Sequence, residues 1–132
     1  MNSKQFLQIG GMVLVLIAIL GFSGIIGPTE MESPFGATWY FDNAENSAHL
    51  VIGIAALIFG FGVKNAMLQK NITILVGVLG ILFAVYNIFS ENFMSATLQN
   101  PADMILHLVI GVFALWTGTR KPEMNAPIAG AM

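Results

Sequence analysis

The placing of charge constrains this chain more than any other feature of it. Only five Lys and Arg and seven Asp and Glu occur in 132 residues, and they fall in clusters. Between the clusters lie four stretches with no formal charge, 5–29, 46–63, 71–90 and 104–119, of 25, 18, 20 and 16 residues. A helix rising ~1.5 Å per residue needs about 20 residues to cross ~30 Å of hydrocarbon, with a working range of about 17–25. The first and third stretches meet this outright. The second and fourth are shorter, but polar residues at their starts carry them into headgroup depth. The expected fold is all-α: a four-helix transmembrane bundle in a single integral membrane domain, 1–132. Its spans are expected at about 6–27, 43–63, 71–90 and 101–119.

Composition supports the same solvent. Hydrophobic residues make up 56% of the chain and charged ones 9%, against roughly 25% charged in a soluble domain. So few charges cannot cover a soluble protein of this size, and the lipid bilayer is the first expected partner. A net charge of −2 leaves no electrostatic footprint for nucleic acid, which is not expected as a partner. The absence of cysteine removes disulfides, thiolate metal sites and cysteine nucleophiles together.

Orientation follows from sign. Lys4 precedes span one, Lys64 and Lys70 join spans two and three, and Arg120 and Lys121 follow span four, so every cation falls on one side. Glu30, Glu32, Asp42, Glu45, Glu91 and Asp103 fall on the other. The positive-inside rule then sets both termini in the cytoplasm. Trp39, Tyr40 and Phe41 are expected at the outer interface and Trp116 at the inner one. Lys4, Ser23 and Gly24 give span one some likeness to a signal peptide, but it is expected to stay as a membrane anchor. The tail, 120–132, reads as disordered from Pro122 onward.

The chain repeats itself. Ala44 to Gly53 aligns with Ala102 to Gly111 at an offset of 58, with His-Leu-Val-Ile-Gly identical, and the match continues through Ala56 and Ala114, Leu57 and Leu115, Gly60 and Gly118. Spans one and three align at an offset of 66: Gly11 with Gly77, Leu16 with Leu82, Ala18 with Ala84. Two tandem helix-pair repeats are expected, at about 6–63 and 71–119. Both run in the same direction, about a pseudo-twofold axis along the membrane normal.

Spans two and four carry matched stripes, Glu45, His49, Gly53, Ala56, Gly60 and Asp103, His107, Gly111, Ala114, Gly118. Steps of three and four keep each set on one helix face. Lipid gives helices no hydrophobic reason to associate, so small residues that let backbones approach are the usual contact. Gly53, Ala56, Gly60, Gly111, Ala114 and Gly118 are therefore expected to form a helix-packing seam. Asp42 stands three before Glu45, and Asn100 three before Asp103 with Pro101 between. Asp42 and Asn100 are expected as helix caps, each with an acid at the third helical position.

His49 and His107 each lie seven residues past the cap, about 10 Å along the helix. Ionisable residues at such a depth face the bundle interior and have partners. The candidates are the acid one turn back, or Asn87 and Tyr86 on span three. One reading is a hydrogen-bonded pair that fixes helix register. A second makes His49, His107, Glu45 and Asp103 a site for a divalent metal, since imidazole with carboxylate suits zinc, copper, iron or nickel. A third sets the two histidines on opposite faces of a haem. No Ser or Thr stands at helical spacing from either histidine, and no catalytic set is recognised.

The two blocks, Asn or Asp, an acid, then His-Leu-x-x-Gly opening spans two and four, resemble an uncharacterised family of small four-span prokaryotic membrane proteins. The resemblance implies a prokaryotic cytoplasmic (inner) membrane and a repeated architecture, and it implies no activity. A looser likeness to DoxX-type four-span proteins rests on topology. The leading expectation for function is a small structural or accessory subunit that associates with itself or with other membrane subunits. A cofactor-binding protein and a small-solute transporter are the alternatives. No span reads as interrupted at mid-membrane, as transporter sites often are.

Overall fold

The computed structural model describes residues 1–121. The expected disordered segment, 122–132, lies outside the described residues. Four helices make up the architecture: α1 (Ser3–Phe22), α2 (Asn43–Leu57), α3 (Ala66–Phe89) and α4 (Ala102–Thr119). A π turn, Ile58–Gly62, continues α2. Each helix, α2 together with its π turn, is long and apolar enough to cross a membrane. The loop between α1 and α2 holds two 3-10 turns, Glu30–Glu32 and Gly36–Thr38. The loop between α3 and α4 folds as a two-residue antiparallel ladder, β1 (Asn92–Phe93) against β2 (Ala96–Thr97).

Local chemistry sets the helix ends. Asn2 accepts from Gln5 N while the Gln5 side chain accepts from Asn2 N, so α1 starts ahead of residue 6 in a capping box. It stops at Phe22, short of 27. Gly24 adopts φ +82°, and the Ile25 and Ile26 amides both reach back to Leu20 O. A left-handed glycine just past the last helical turn ends a helix this way. α3 begins at Ala66, before residue 71, because Asn65 accepts from Leu68 N and lysine is no obstacle to helix.

Each helix pairs mainly with its neighbour in sequence, α1 with α2 and α3 with α4. The small-residue stripe is the reason. A Cβ on Gly53 would lie 3.0 Å from both Gly11 O and Val15 N; on Gly111 it would lie 3.0 Å from Gly77 O and 2.8 Å from Ile81 N. Lower down, a Cβ on Gly60 would lie 2.9 Å from Gln8 N, and on Gly118 it would lie 3.3 Å from Ile74 N. The glycines of α2 thus meet α1, and those of α4 meet α3. Ala56 and Ala114 instead join Phe6 and Leu7 in the core between the hairpins.

The hairpins meet chiefly through α1, which packs against α3 and α4, with the Phe6 and Phe113 rings 5.8 Å apart. α2 meets α3 less than α1 meets α4, so the joint departs from an exact twofold arrangement. Outward faces are apolar: Leu16, Ile19, Val51, Ile58, Leu82, Ile88 and Val109 are all exposed. Contiguous apolar surface of this kind marks a lipid or protein contact.

Candidate functional site

The matched acids and histidines gather at the end of the bundle that carries the α1–α2 and α3–α4 loops. Asp42 is the N-cap of α2. Its Oδ1 accepts from Glu45 N at 2.9 Å, and Glu45 Oε2 accepts from Asp42 N at 3.0 Å, a capping box. The second oxygen of Asp42 accepts from Thr97 N at 2.7 Å, which ties the cap to the other hairpin's loop. Asp103 does the converse. Its Oδ1 accepts from Trp39 Nε1 at 3.0 Å, across 64 residues, and its Oδ2 from Gln99 N at 2.7 Å. Tyr40 N donates to Gln99 Oε1, while Gln99 Nε2 donates to Thr97 O. Each loop is therefore held by a carboxylate of the opposite hairpin.

Two buried asparagines complete the end. Asn46 Nδ2 donates to Phe41 O at 2.9 Å, and Asn87 Nδ2 to Leu98 O at 3.2 Å and Ser90 O at 3.3 Å. Asn100 is not a cap. Pro101 occupies the cap position of α4 with an α-region backbone and no side-chain hydrogen bond. Residue 100 therefore lies one position too early, and its Nδ2 donates to Asn87 O at 2.9 Å, fastening the start of α4 to the end of α3. The carboxylate of Asp103 takes up the Gln99 amide in that place.

The aromatics expected at the outer interface are used internally. Phe41 is buried, edge-on to Trp39 at 5.3 Å and to the His49 ring at 5.1 Å. Burial, with Asp42, Glu30 and Glu45 nearby, raises the Tyr40 phenol above its usual value, so it stays neutral at physiological pH. Trp116, at the opposite end of the bundle, is half exposed with the Arg120 guanidinium 4.4 Å over its ring.

The histidines differ from one another. His107 Nδ1 lies 2.8 Å from the backbone carbonyl of Asp103, which can only accept, so that nitrogen carries the hydrogen of the bond. Its ring stacks on Phe83 at 5.6 Å. His49 Nδ1 is buried with no hydrogen-bond partner among the described residues. Neither histidine bonds the carboxylate one turn earlier. Asn87 Nδ2 and Tyr86 Oη are committed elsewhere, the latter to Asn92 O, and the buried Asn87 Oδ1 has no hydrogen-bond partner among the described residues. The two rings lie within electrostatic range of each other, as do Glu45 and Asp103. Among the described residues, no group of three or more His, Asp or Glu is arranged to hold a metal ion.

Sequence reasoning missed Trp39, Thr97 and Gln99 as partners of the acids. The first sits in an aromatic run that suggests an interface belt, and the others bind through the backbone or through a loop amide, which leave no pattern. Asn46 and Asn87 were detectable as amides inside apolar spans. No family model, curated protein or solved structure matches the chain.

Proposed function

We propose that the chain is a small non-catalytic membrane protein, a structural or accessory subunit, built from two tandem helix pairs with both termini in the cytoplasm of a prokaryotic cell. One observation carries this reading. The acids that would do chemistry or bind a cofactor have oxygens engaged in structure: both of Asp103 fasten loops, and one of Glu45 closes the capping box with Asp42. The helix faces turned to the surroundings are largely apolar. The repeat is supported by the equivalent contacts of Gly53 and Gly111, whose partners Gly11 and Gly77, and Val15 and Ile81, both differ by 66 positions.

The assembly state in mild detergent tests the role. Native-size complexes larger than one chain, or a reproducible membrane partner, are expected after cross-linking in the membrane. A monomer with no cross-linked product would overturn the subunit reading. Clean protein is further expected to carry no metal and no Soret band, and a stoichiometric metal or haem would replace this reading with the cofactor one. The chain has no cysteine, so single cysteines report cleanly on orientation. Lys64→Cys should resist a membrane-impermeant label applied to intact cells, and Glu91→Cys should accept it. The reverse pattern would invert the topology.

A further inference from the structure

The opposite end of the molecule is built for charge of the other sign. The first residues of α1, the first turn of α3 and the last turn of α4 enclose a cleft of about 710 Å³. Ordinary small-ligand sites run from roughly 300 to 1,000 Å³. Lys4, Lys70 and Lys121 line it together with Arg120, and no carboxylate is among its described lining residues. Three lysines gathered around one hollow repel each other, and an anion relieves that repulsion. α1 and α3 both begin here and α4 ends here, so two positive helix-dipole ends face the cleft against one negative end.

Thr117 supplies an independent sign of a ligand. It lines the cleft at 4% exposure, and its Oγ1 is buried with no partner among the described residues. A helical threonine commonly returns its hydroxyl to the carbonyl one turn back. Thr73 does so to Gln69 O at 2.9 Å, and Thr119 to Leu115 O at 2.6 Å. Thr117 does not. A buried hydroxyl without a partner is unfavourable, and an acceptor oxygen in the cleft would satisfy it.

We propose that this cleft binds the phosphate of an anionic lipid headgroup. A phosphate offers the negative charge and the acceptor oxygen that the lysines and Thr117 lack among the described residues. Free inorganic phosphate has the same chemistry. The position of the cleft favours the lipid, because it opens at the ends of helices suited to crossing a membrane, at the level where one leaflet's phosphates lie. The lipid source rests on the membrane-spanning reading alone, and needs neither the subunit role nor the orientation.

The test is thermal unfolding of the full chain in a neutral detergent, with additions at matched ionic strength. Phosphatidylglycerol is expected to raise Tm by several degrees, and phosphatidylcholine with the same acyl chains is not. The rise should shrink at high salt, where the screening length falls from about 10 Å to about 3 Å. The double variant Lys4→Gln/Lys70→Gln should lose most of the rise. Thr117→Val should lose part of it while keeping or raising the lipid-free Tm, which a purely structural threonine would not do. Lys64→Gln, outside the cleft, should keep it all. An equal rise with phosphatidylcholine, or a rise that survives the double lysine variant, overturns the site. A rise with inorganic phosphate as large as that with phosphatidylglycerol overturns the lipid source. None of these outcomes bears on the assembly state, so the subunit reading stands or falls separately.

Discussion

Asp103 receives N–H donors that arrive from two places in the chain, Trp39 Nε1 on one oxygen and Gln99 N on the other. Asparagine offers one acceptor and one NH2 group there. Whichever way the amide turns, one donor then faces another donor. Asp103→Asn is therefore expected to lower stability by about 1–3 kcal/mol, read as a lower unfolding midpoint in detergent. Wild-type stability in that variant would remove the fastening role. Glycines give a second contrast at this scale. A Cβ on Gly111 meets backbone at Ile81 N, whereas one on Gly10 meets nothing within 4 Å. Gly111→Ala should cost about 1–3 kcal/mol through overpacking and Gly10→Ala should be tolerated; equal effects would mean that the seam is not tight. The acid of each matched block was legible because it sits at a fixed offset from a helix start. Its partners were not, since loop geometry chooses them across dozens of residues. Asn100 misled for a related reason: the spacing that makes a cap of Asp42 is present, but the chain enters α4 one residue later.

At the scale of elements, helix number and kind were legible because an uncharged run of about 20 residues has few other uses. Helix ends were not, because charge does not end a helix. Gly24 and Asn65 do that work, and Lys70 lies inside α3. The π turn was illegible altogether. In Ile58–Gly62 the i→i+4 ladder widens, and carbonyls of the turn and its cap are met from other helices: Gln8 Nε2 donates to Gly60 O at 3.0 Å, and Gln69 Nε2 to Phe59 O at 2.9 Å and to the cap's Val63 O at 2.8 Å. Gln69 is buried, so Met in its place keeps the bulk and strands both carbonyls. Gln69→Met is expected to cost about 1–3 kcal/mol, measured by the same unfolding. No loss would mean that the turn relaxes to a regular helix and needs no outside donor.

For the whole molecule, the stripe of small residues was legible as a seam, but the helix it would meet was not. The closest backbone contacts fall inside the hairpins, at Gly11 with Gly53 and Gly77 with Gly111. Loop length does not choose them, since the shortest link, 63–65, joins α2 to α3, which meet little; the glycines that α1 and α3 themselves present at the crossing do. The joint between hairpins is of another kind. It consists of α1 against α3 and α4, the Trp39–Asp103 and Asp42–Thr97 hydrogen bonds at one end, and Gln69 on the π turn at the other. Each hairpin thus keeps its own tight seam when the chain is opened between them, at residues 63–65. Co-expressed halves, 1–64 and 65–132, should both insert and should co-purify. Trp39→Phe in one half removes a cross-hairpin hydrogen bond, and Asp42→Asn is expected to weaken the second. At about 1 kcal/mol for each bond, and about tenfold per 1.4 kcal/mol, recovery of the paired halves should then fall by roughly tenfold or more. Halves that insert but never co-purify would mean that the connection, not the joint, holds the molecule together. Recovery unchanged by the double substitution would shift the joint's strength to the apolar contact of Phe6 with Phe113.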